Sequence, residues 1–347
     1  MGKITDIRII SQRLTGEKLQ TPKDIVSWMG AMQAQDFNMV KWAVGMRLTG
    51  YTEKMVEEAF NRGDILRTHV MRPTWHLVTP GNIRWMLSLS AEKIKSSAKS
   101  RDRDLEITEE LYSKSNDVIT KSLEGKNHLT REALGEELKK AKILINPARL
   151  VHFMMRAELD GVICSGALQG KKHTYALLDE IAPTAKTLYR DEALAQLVKT
   201  YFTSHCPATL QDFVWWSGLS KTEAKKGLDA VKSYFVTEKI DNQEYLIANE
   251  FASIANSEKS VFLLPAFDEY IISYRDRTAA LSSEHQRKAI SSQGVFRPTI
   301  LVNGQVTGLW RKSPTQTVIP DFFDLPNSDT KNRVEKAIDC FKAFLKQ

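Results

Sequence analysis

Apolar positions recur at three- and four-residue spacing along most of the chain, and each such run is followed by short stretches rich in β-formers with turn residues between them. The middle of the chain shows the unit most clearly. Thr130 is placed to cap a helix in which Leu134 and Leu138 recur at i, i+4. Asn146-Pro147 stops and restarts the chain, proline being suited to a first helical turn. Leu150, Phe153, Met154 and Leu159 then form a second apolar stripe, closed by Gly161. Residues 162–165 and 174–178 read as two strands around a glycine-flanked loop carrying Lys171, Lys172 and His173. Helices followed by a basic-tipped hairpin form the winged-helix pattern, which can set a helix in the major groove and a basic loop near phosphates.

A similar unit follows. Residues 191–204 are amphipathic, Thr209 caps a helix holding Phe213, Trp215 and Trp216, and Gly218 breaks it. Ser220 and Glu223 have capping-box spacing ahead of a third helix, and Asp241-Asn242 marks the turn of a hairpin. The first unit is longer, with helical stretches near 5–14, 22–33, 37–47 and 52–61, a strand pair at 65–71 and 74–79, and a helix over 80–90. A charged run, 93–110, is expected to mark a boundary. The last portion changes character: 261–264 is a short strand, Asn303-Gly304 between 299–302 and 305–310 suits a type I′ hairpin, and 332–346 is a closing helix. The reading is an α+β protein: helix-turn-helix units over 1–95, 105–182 and 188–250, then a small β module with its helix over 255–347.

Composition adds little to class but something to partner. The 347 residues are 42% hydrophobic and 26% charged, which is globular and excludes a disordered or collagen-like chain. The net charge of +7 favours a polyanionic partner only weakly. There is no run of 18 apolar residues and no signal-like N-terminus, so no membrane role is expected. Three widely spaced cysteines, Cys164, Cys206 and Cys340, argue against a disulfide framework and for the cytoplasm. No heptad repeat is visible, which points to a monomer.

Familiar catalytic signatures are missing: no HExxH, Walker loop, GxGxxG, GxSxG or zinc-deaminase pattern occurs. His69 and His76 lie near the first strand pair without an acidic ligand at metal spacing, so hydrogen bonding is expected rather than metal binding. Trp215 and Trp216 sit at core spacing on a helix. Asp268, Glu269, Arg275, Asp276 and Arg277 read as an ion-pair network holding modules together. The segment Gln33-Ala34-Gln35-Asp36 is more informative. On a helix the two glutamines point about 200° apart. They converge only if the helix breaks, and Asp36, a good cap for the next helix, places that break near Ala34.

Several stretches together resemble one family: Gln33-Ala34-Gln35-Asp36, residues 66–78 (LRTHVMRPTWHLV), 207–218 (PATLQDFVWWSG), 263–277 (LLPAFDEYIISYRDR) and 302–311 (VNGQVTGLWR). In this order, over nearly the whole chain, they are similar to the AlkZ/YcaQ family of bacterial DNA glycosylases. The resemblance implies tandem winged helices with a C-terminal β-barrel-like domain. It also implies excision of bulky N7-alkylated purines, and in some members unhooking of interstrand crosslinks. The family's catalytic motif is Gln-Φ-Gln in one branch and Gln-Φ-Asp in the other; Gln33-Ala34-Gln35 looks like the first, which assigns Gln33 and Gln35 to catalysis. His69, Arg72 and His76 match the site-flanking strand pair and are expected near DNA, as are Lys171 and Lys172 in the basic loop and Asn303, Gln305 and Arg311 in the Asn-Gly hairpin. Double-stranded DNA is the implied partner, with no metal and no organic cofactor. A lyase step is not expected, since no lysine is singled out as a Schiff-base nucleophile. By the residues alone, a non-catalytic winged-helix DNA-binding protein or transcription regulator stays open.

Overall fold

In the computed structural model, which describes residues 2–254, 259–313, 315 and 317–346, chain contacts divide the protein into two compact units, Met1–Glu57 with Leu194–Gln347, and Glu58–Ala193. Residues 255–258 at the start of the expected β module, and 1, 314, 316 and 347, lie outside the described residues.

The first unit opens with α1 (Gly2–Ser11), which buries Ile4, Ile7 and Ile9. Helix α2 (Pro22–Met29) begins at a reciprocal Thr21/Asp24 capping box with Pro22 in its first turn. It ends four residues earlier than the pattern predicts. Gly30 takes φ 77°, a left-handed value that glycine reaches without Cβ strain. After it Met32–Gln33 are extended, forming β1, and Asp36 caps α3 (Phe37–Gly45) by accepting the Met39 N–H. Helix α4 (Glu53–Asn61) follows.

In the second unit, β2 (Leu66–His69) and β3 (Trp75–Val78) pair antiparallel, Leu66 opposite Val78 and His69 opposite Trp75. Helix α5 (Ile83–Asp104) runs through the charged stretch expected at a boundary: Ala91 and Ile94 face inward, while Lys95 pairs with Glu92 at i,i+3 and with Asp160. Then come α6 (Glu109–Leu123), β4 (Leu129–Thr130), α7 (Arg131–Lys140), α8 (Pro147–Leu159), β5 (Ile163–Ser165) and β6 (Thr174–Leu177). The strands form an antiparallel sheet of order β4-β6-β5. Ile119, Leu123, Leu134, Leu138, Phe153 and Ile163 fill its core. Short α9 (Leu178–Ile181) ends the run.

Helix α10 (Arg190–Ser204) leads back into the first unit. Helix α11 (Leu210–Ser217) starts at a Thr209/Asp212 capping box and stops at Gly218 in the αL region; α12 (Lys221–Val231) starts at a Ser220/Glu223 box. Strands β7 (Phe235–Ile240) and β8 (Gln243–Ala248) pair around Asp241 and Asn242, both at positive φ as a type I′ turn requires. Strand β9 (Val261–Leu264), short helices α13 (Glu269–Ile272) and α14 (Gln286–Ala289), and strands β10 (Thr299–Val302), β11 (Gln305–Lys312) and β12 (Val318–Phe322) precede α15 (Ser328–Leu345).

The expected barrel-like module is an open sheet among the described residues, antiparallel throughout, of order β12-β11-β10-β9. Four strands are too few to close around their own side chains. Instead α15 covers one face, where Phe341 packs edge-on against Trp42 and Trp310. Leu264, Leu301 and Val306 join Tyr270, Ile271 and Leu281 in the core of the other. The fold is thus mixed helix and sheet.

Candidate active site and nucleic-acid interface

The glutamine segment lies in the first unit, between α2 and α3. It is not the helix corner its spacing predicts. Met32 and Gln33 are extended, and the chain bends at Gln35 and Asp36 before α3. Gln33 is buried with 6% exposure, Ala34 is fully buried, and Gln35 and Asp36 are exposed. One carboxamide belongs to the floor of the segment and the other to its surface edge. The left-handed Gly30 makes this possible; a Cβ there would stand 2.8 Å from Thr200 Cγ2.

The floor is held by groups that the sequence reading did not join. The Gln33 N–H donates to Glu269 Oε1 at 2.6 Å. Trp216 Nε1–H donates to Glu269 Oε2 at 3.2 Å, and the Ser273 hydroxyl donates to the same oxygen. His205 Nε2 stands 3.7 Å from that oxygen, beyond hydrogen-bond range, and its ring stacks on Tyr201. Burial opposes ionisation of Glu269, but the adjacent His205 first, then the Ser273 hydroxyl and the Gln33 N–H, outweigh it and hold the carboxyl down at about 2. Burial pushes the His205 imidazole below its ordinary value, against the opposing pull of Glu269. Beside this cluster Arg47 grips Asp268 with two hydrogen bonds of 2.8 and 2.9 Å, both side chains buried. Arg47 also donates to the Gln12 side chain at 3.2 Å, Gln12 donates to Tyr274 Oη at 3.0 Å, and Tyr274 donates to the His205 carbonyl at 2.8 Å. Trp216 is core, whereas Trp215 is 41% exposed and anchored by Nε1–H to the Ile272 carbonyl.

The other candidates are placed as follows. In the second unit, His69 is buried, its Nδ1 against the Glu158 carboxylate, and its backbone N–H donates to the same oxygen at 3.3 Å. His76 is fully buried, with Nδ1 3.0 Å from the Thr74 carbonyl. Strand register pairs His69 with Trp75 and His76 with Thr68, so the two imidazoles fall on opposite faces of the hairpin. Arg67 joins His69 on its face, the guanidinium 4.2 Å above Trp75. Arg72 is partly exposed in the bend between the strands. Lys171 and Lys172 are exposed at the tip of the β5–β6 loop, which turns at Gly170 and is closed by Gln169–Lys172 backbone bonds of 3.0 and 3.1 Å.

In the first unit, Arg311 is exposed on β11. The Asn303-Gly304 turn has the positive φ values of type I′, but it is docked: Asn303 Oδ1 accepts the Ser260 N–H at 3.0 Å, Gln305 donates to the Ala279 carbonyl at 2.6 Å, and Tyr270 donates to the Gly304 carbonyl at 3.1 Å. The amides of Asn303 and Gln305 therefore shape the hairpin.

What spacing missed is the convergence on Glu269 of groups from Gln33, Trp216 and Ser273. The only trace in the sequence is a carboxylate next to an N-cap aspartate in an otherwise apolar stretch.

The comparisons with known proteins accord with this geometry. The interstrand DNA cross-link repair glycosylase of Streptomyces sahachiroi is 24% identical, over 96% of this chain and 92% of that protein. The solved structure of Streptomyces sahachiroi DNA glycosylase AlkZ superposes with a TM-score of 0.85 at 22% identity, covering 100% of this chain and 97% of that one. The family described as DNA glycosylase AlkZ-like matches residues 26–344. A match of that extent, on a chain with the same fold, means that this protein belongs to the AlkZ-like DNA glycosylase family.

Proposed function

We propose that the protein is a monofunctional DNA glycosylase that hydrolyses the N-glycosidic bond of N7-alkylated purines in duplex DNA, bulky adducts and interstrand crosslinks among them. The observation that carries this reading is the Gln33-Ala34-Gln35 segment between α2 and α3, leaving β1 at Gln33 and bending at Gln35, with one carboxamide buried and the other at the surface, in a chain of this family. The relative named as a cross-link repair glycosylase supports the substrate class.

The chemistry asks little acid–base power of the protein. An N7-alkylpurine is cationic, so when the C1′–N9 bond breaks the electron pair leaves with a neutral base. The sugar becomes oxocarbenium-like. Water adds at C1′ and its proton passes to solvent. Such an electrophile needs an oriented water more than a deprotonated one, and a carboxamide can hold water and offer its carbonyl dipole to positive charge. Gln33 and Gln35 take this role. The helix–hairpin units over 1–95, 105–182 and 188–250 act as winged helices on the duplex. Lys171, Lys172 and Arg311 meet phosphates and Arg72, partly exposed in the bend of its hairpin, comes near the lesion, while buried His69 and His76 shape that hairpin and do not touch DNA themselves. The protein works as a cytoplasmic monomer without metal or cofactor.

The test is base release from a duplex carrying one N7-methylguanine, and from a crosslinked duplex, by wild type beside Gln33→Ala and Gln35→Ala. Release by wild type and its loss in both variants is the expected result. Full release by Gln35→Ala removes that residue from the mechanism. No release from either substrate, together with sequence-specific binding to undamaged duplex, establishes a regulator instead.

A further inference from the structure

The Gln33 strand is fastened by one buried carboxylate. Glu269 is 1% exposed and gathers the Gln33 N–H of β1, the Trp216 indole of α11 and the Ser273 hydroxyl that follows α13. Among the described residues no lysine or arginine stands within salt-bridge range of it; the neighbouring guanidinium, Arg47, is engaged two-fold by Asp268. The one basic group close by, His205 at 3.7 Å, is driven towards neutrality by burial. Three donors converge on the two carboxylate oxygens, so an anion is satisfied here without a salt-bridge cation, whereas a carboxamide would offer only one of its two ends as an acceptor. An anion fixed by donors, one of them the backbone N–H of the residue assigned above to hold water, has a further use. It cannot reorganise during the reaction, and it opposes no step in which positive charge grows.

We propose that Glu269 is a positioning residue for the hydrolysis: through the Gln33 N–H it fixes the strand that carries the water-holding carboxamide, and its fixed negative charge favours the oxocarbenium-like transition state. This rests on the assignment of Gln33 above. The short bond to Gln33 is charge-assisted, the stronger class of hydrogen bond, so it sets the strand tightly.

The experiment compares Glu269→Gln with wild type and Gln33→Ala, measuring single-turnover base release from N7-methylguanine duplex and, separately, duplex affinity. Glu269→Gln keeps the shape and an acceptor for Gln33 but removes the charge. The expected result is release slowed about 10- to 100-fold, with affinity within about twofold of wild type. A purely structural carboxylate would lower affinity together with rate; some loss of stability is expected either way and does not separate the two. If Gln33→Ala is inactive and Glu269→Gln releases base within about twofold of wild type, the proposal is overturned while the Gln33 assignment stands. If Gln33→Ala is active, that assignment falls and takes this role with it. Should Glu269→Gln not fold, backbone hydrogen exchange of the wild-type protein decides: a Gln33 amide among the slowly exchanging core amides supports the bond to Glu269, and one exchanging like an exposed loop overturns it.

Discussion

Arg47 and Asp268 meet with their side chains 0% and 1% exposed, one guanidinium against one carboxylate in two hydrogen bonds. Removing one partner strands the other charge in the core. Asp268→Asn should lower stability by about 3–5 kcal/mol, read from urea unfolding. Glu269 next to it gives the protein an acid limit. Its carboxyl sits at about 2 in the fold against an ordinary 4.5, so its stabilisation is complete above about pH 4.5 and is lost as pH falls towards 2. His205, held below its ordinary 6.5 by burial, acts in the same direction, because the unfolded imidazole takes up its proton first. Unfolding free energies measured from pH 7 to pH 2 should therefore fall, and Glu269→Gln should flatten the part below pH 4.5. At this scale the charged run over 268–277 was legible but its expected ion-pair network was not what formed: Asp268 pairs with Arg47, Arg277 donates to backbone carbonyls, and Glu269 holds Gln33, 236 residues away in sequence, where no periodicity connects them.

Among the elements, the decisive one is the end of α2. Hydrophobic periodicity carries the helix to residue 33, because Met29, Met32 and Gln33 fit a helical stripe as well as an extended one. Gly30 ends it with a left-handed turn, and β1 follows. Gly30→Ala would force a Cβ into that conformation and to within 2.8 Å of Thr200. It should lower the thermal midpoint, with a loss of about 1–3 kcal/mol, and reduce base release further than stability alone accounts for. Activity equal to wild type at a temperature where the variant is fully folded would show that this turn does not set the glutamines. Elsewhere the local signals were sufficient. Thr130, Thr209, Ser220 and Asp36 all cap the helices they were expected to cap, and Asn146, expected only to restart the chain, caps α8 as well, since a cap needs only the side chain and a backbone N–H two or three residues on.

For the whole molecule, the net charge of +7 matters only where it is displayed. Lys171 and Lys172 stand exposed at a loop tip stiffened by backbone bonds, a place from which phosphates can be reached. Replacing both by alanine should weaken binding to any duplex alike and reduce the slope of log affinity against log salt by about 2. An unchanged slope would remove this loop from the DNA interface. The same scale decides the C-terminal sheet. Its strands and the Asn-Gly turn follow from short-range pattern, yet its openness follows from what covers it: α15 and its phenylalanines on one face, the Tyr270 core on the other.

The amino-acid sequence by itself determined the helices and hairpins, their caps and turns, the mixed α and β class and the family to which the motifs belong, because each of these depends on residues close together in the chain. Only the tertiary structure decided that the chain is extended at Met32–Gln33, that Asn303 and Gln305 are tied into their own hairpin, and that a buried carboxylate holds Gln33. Those outcomes depend on which distant groups meet. Burial turns such meetings into large energies, whereas spacing along the chain carries no record of them.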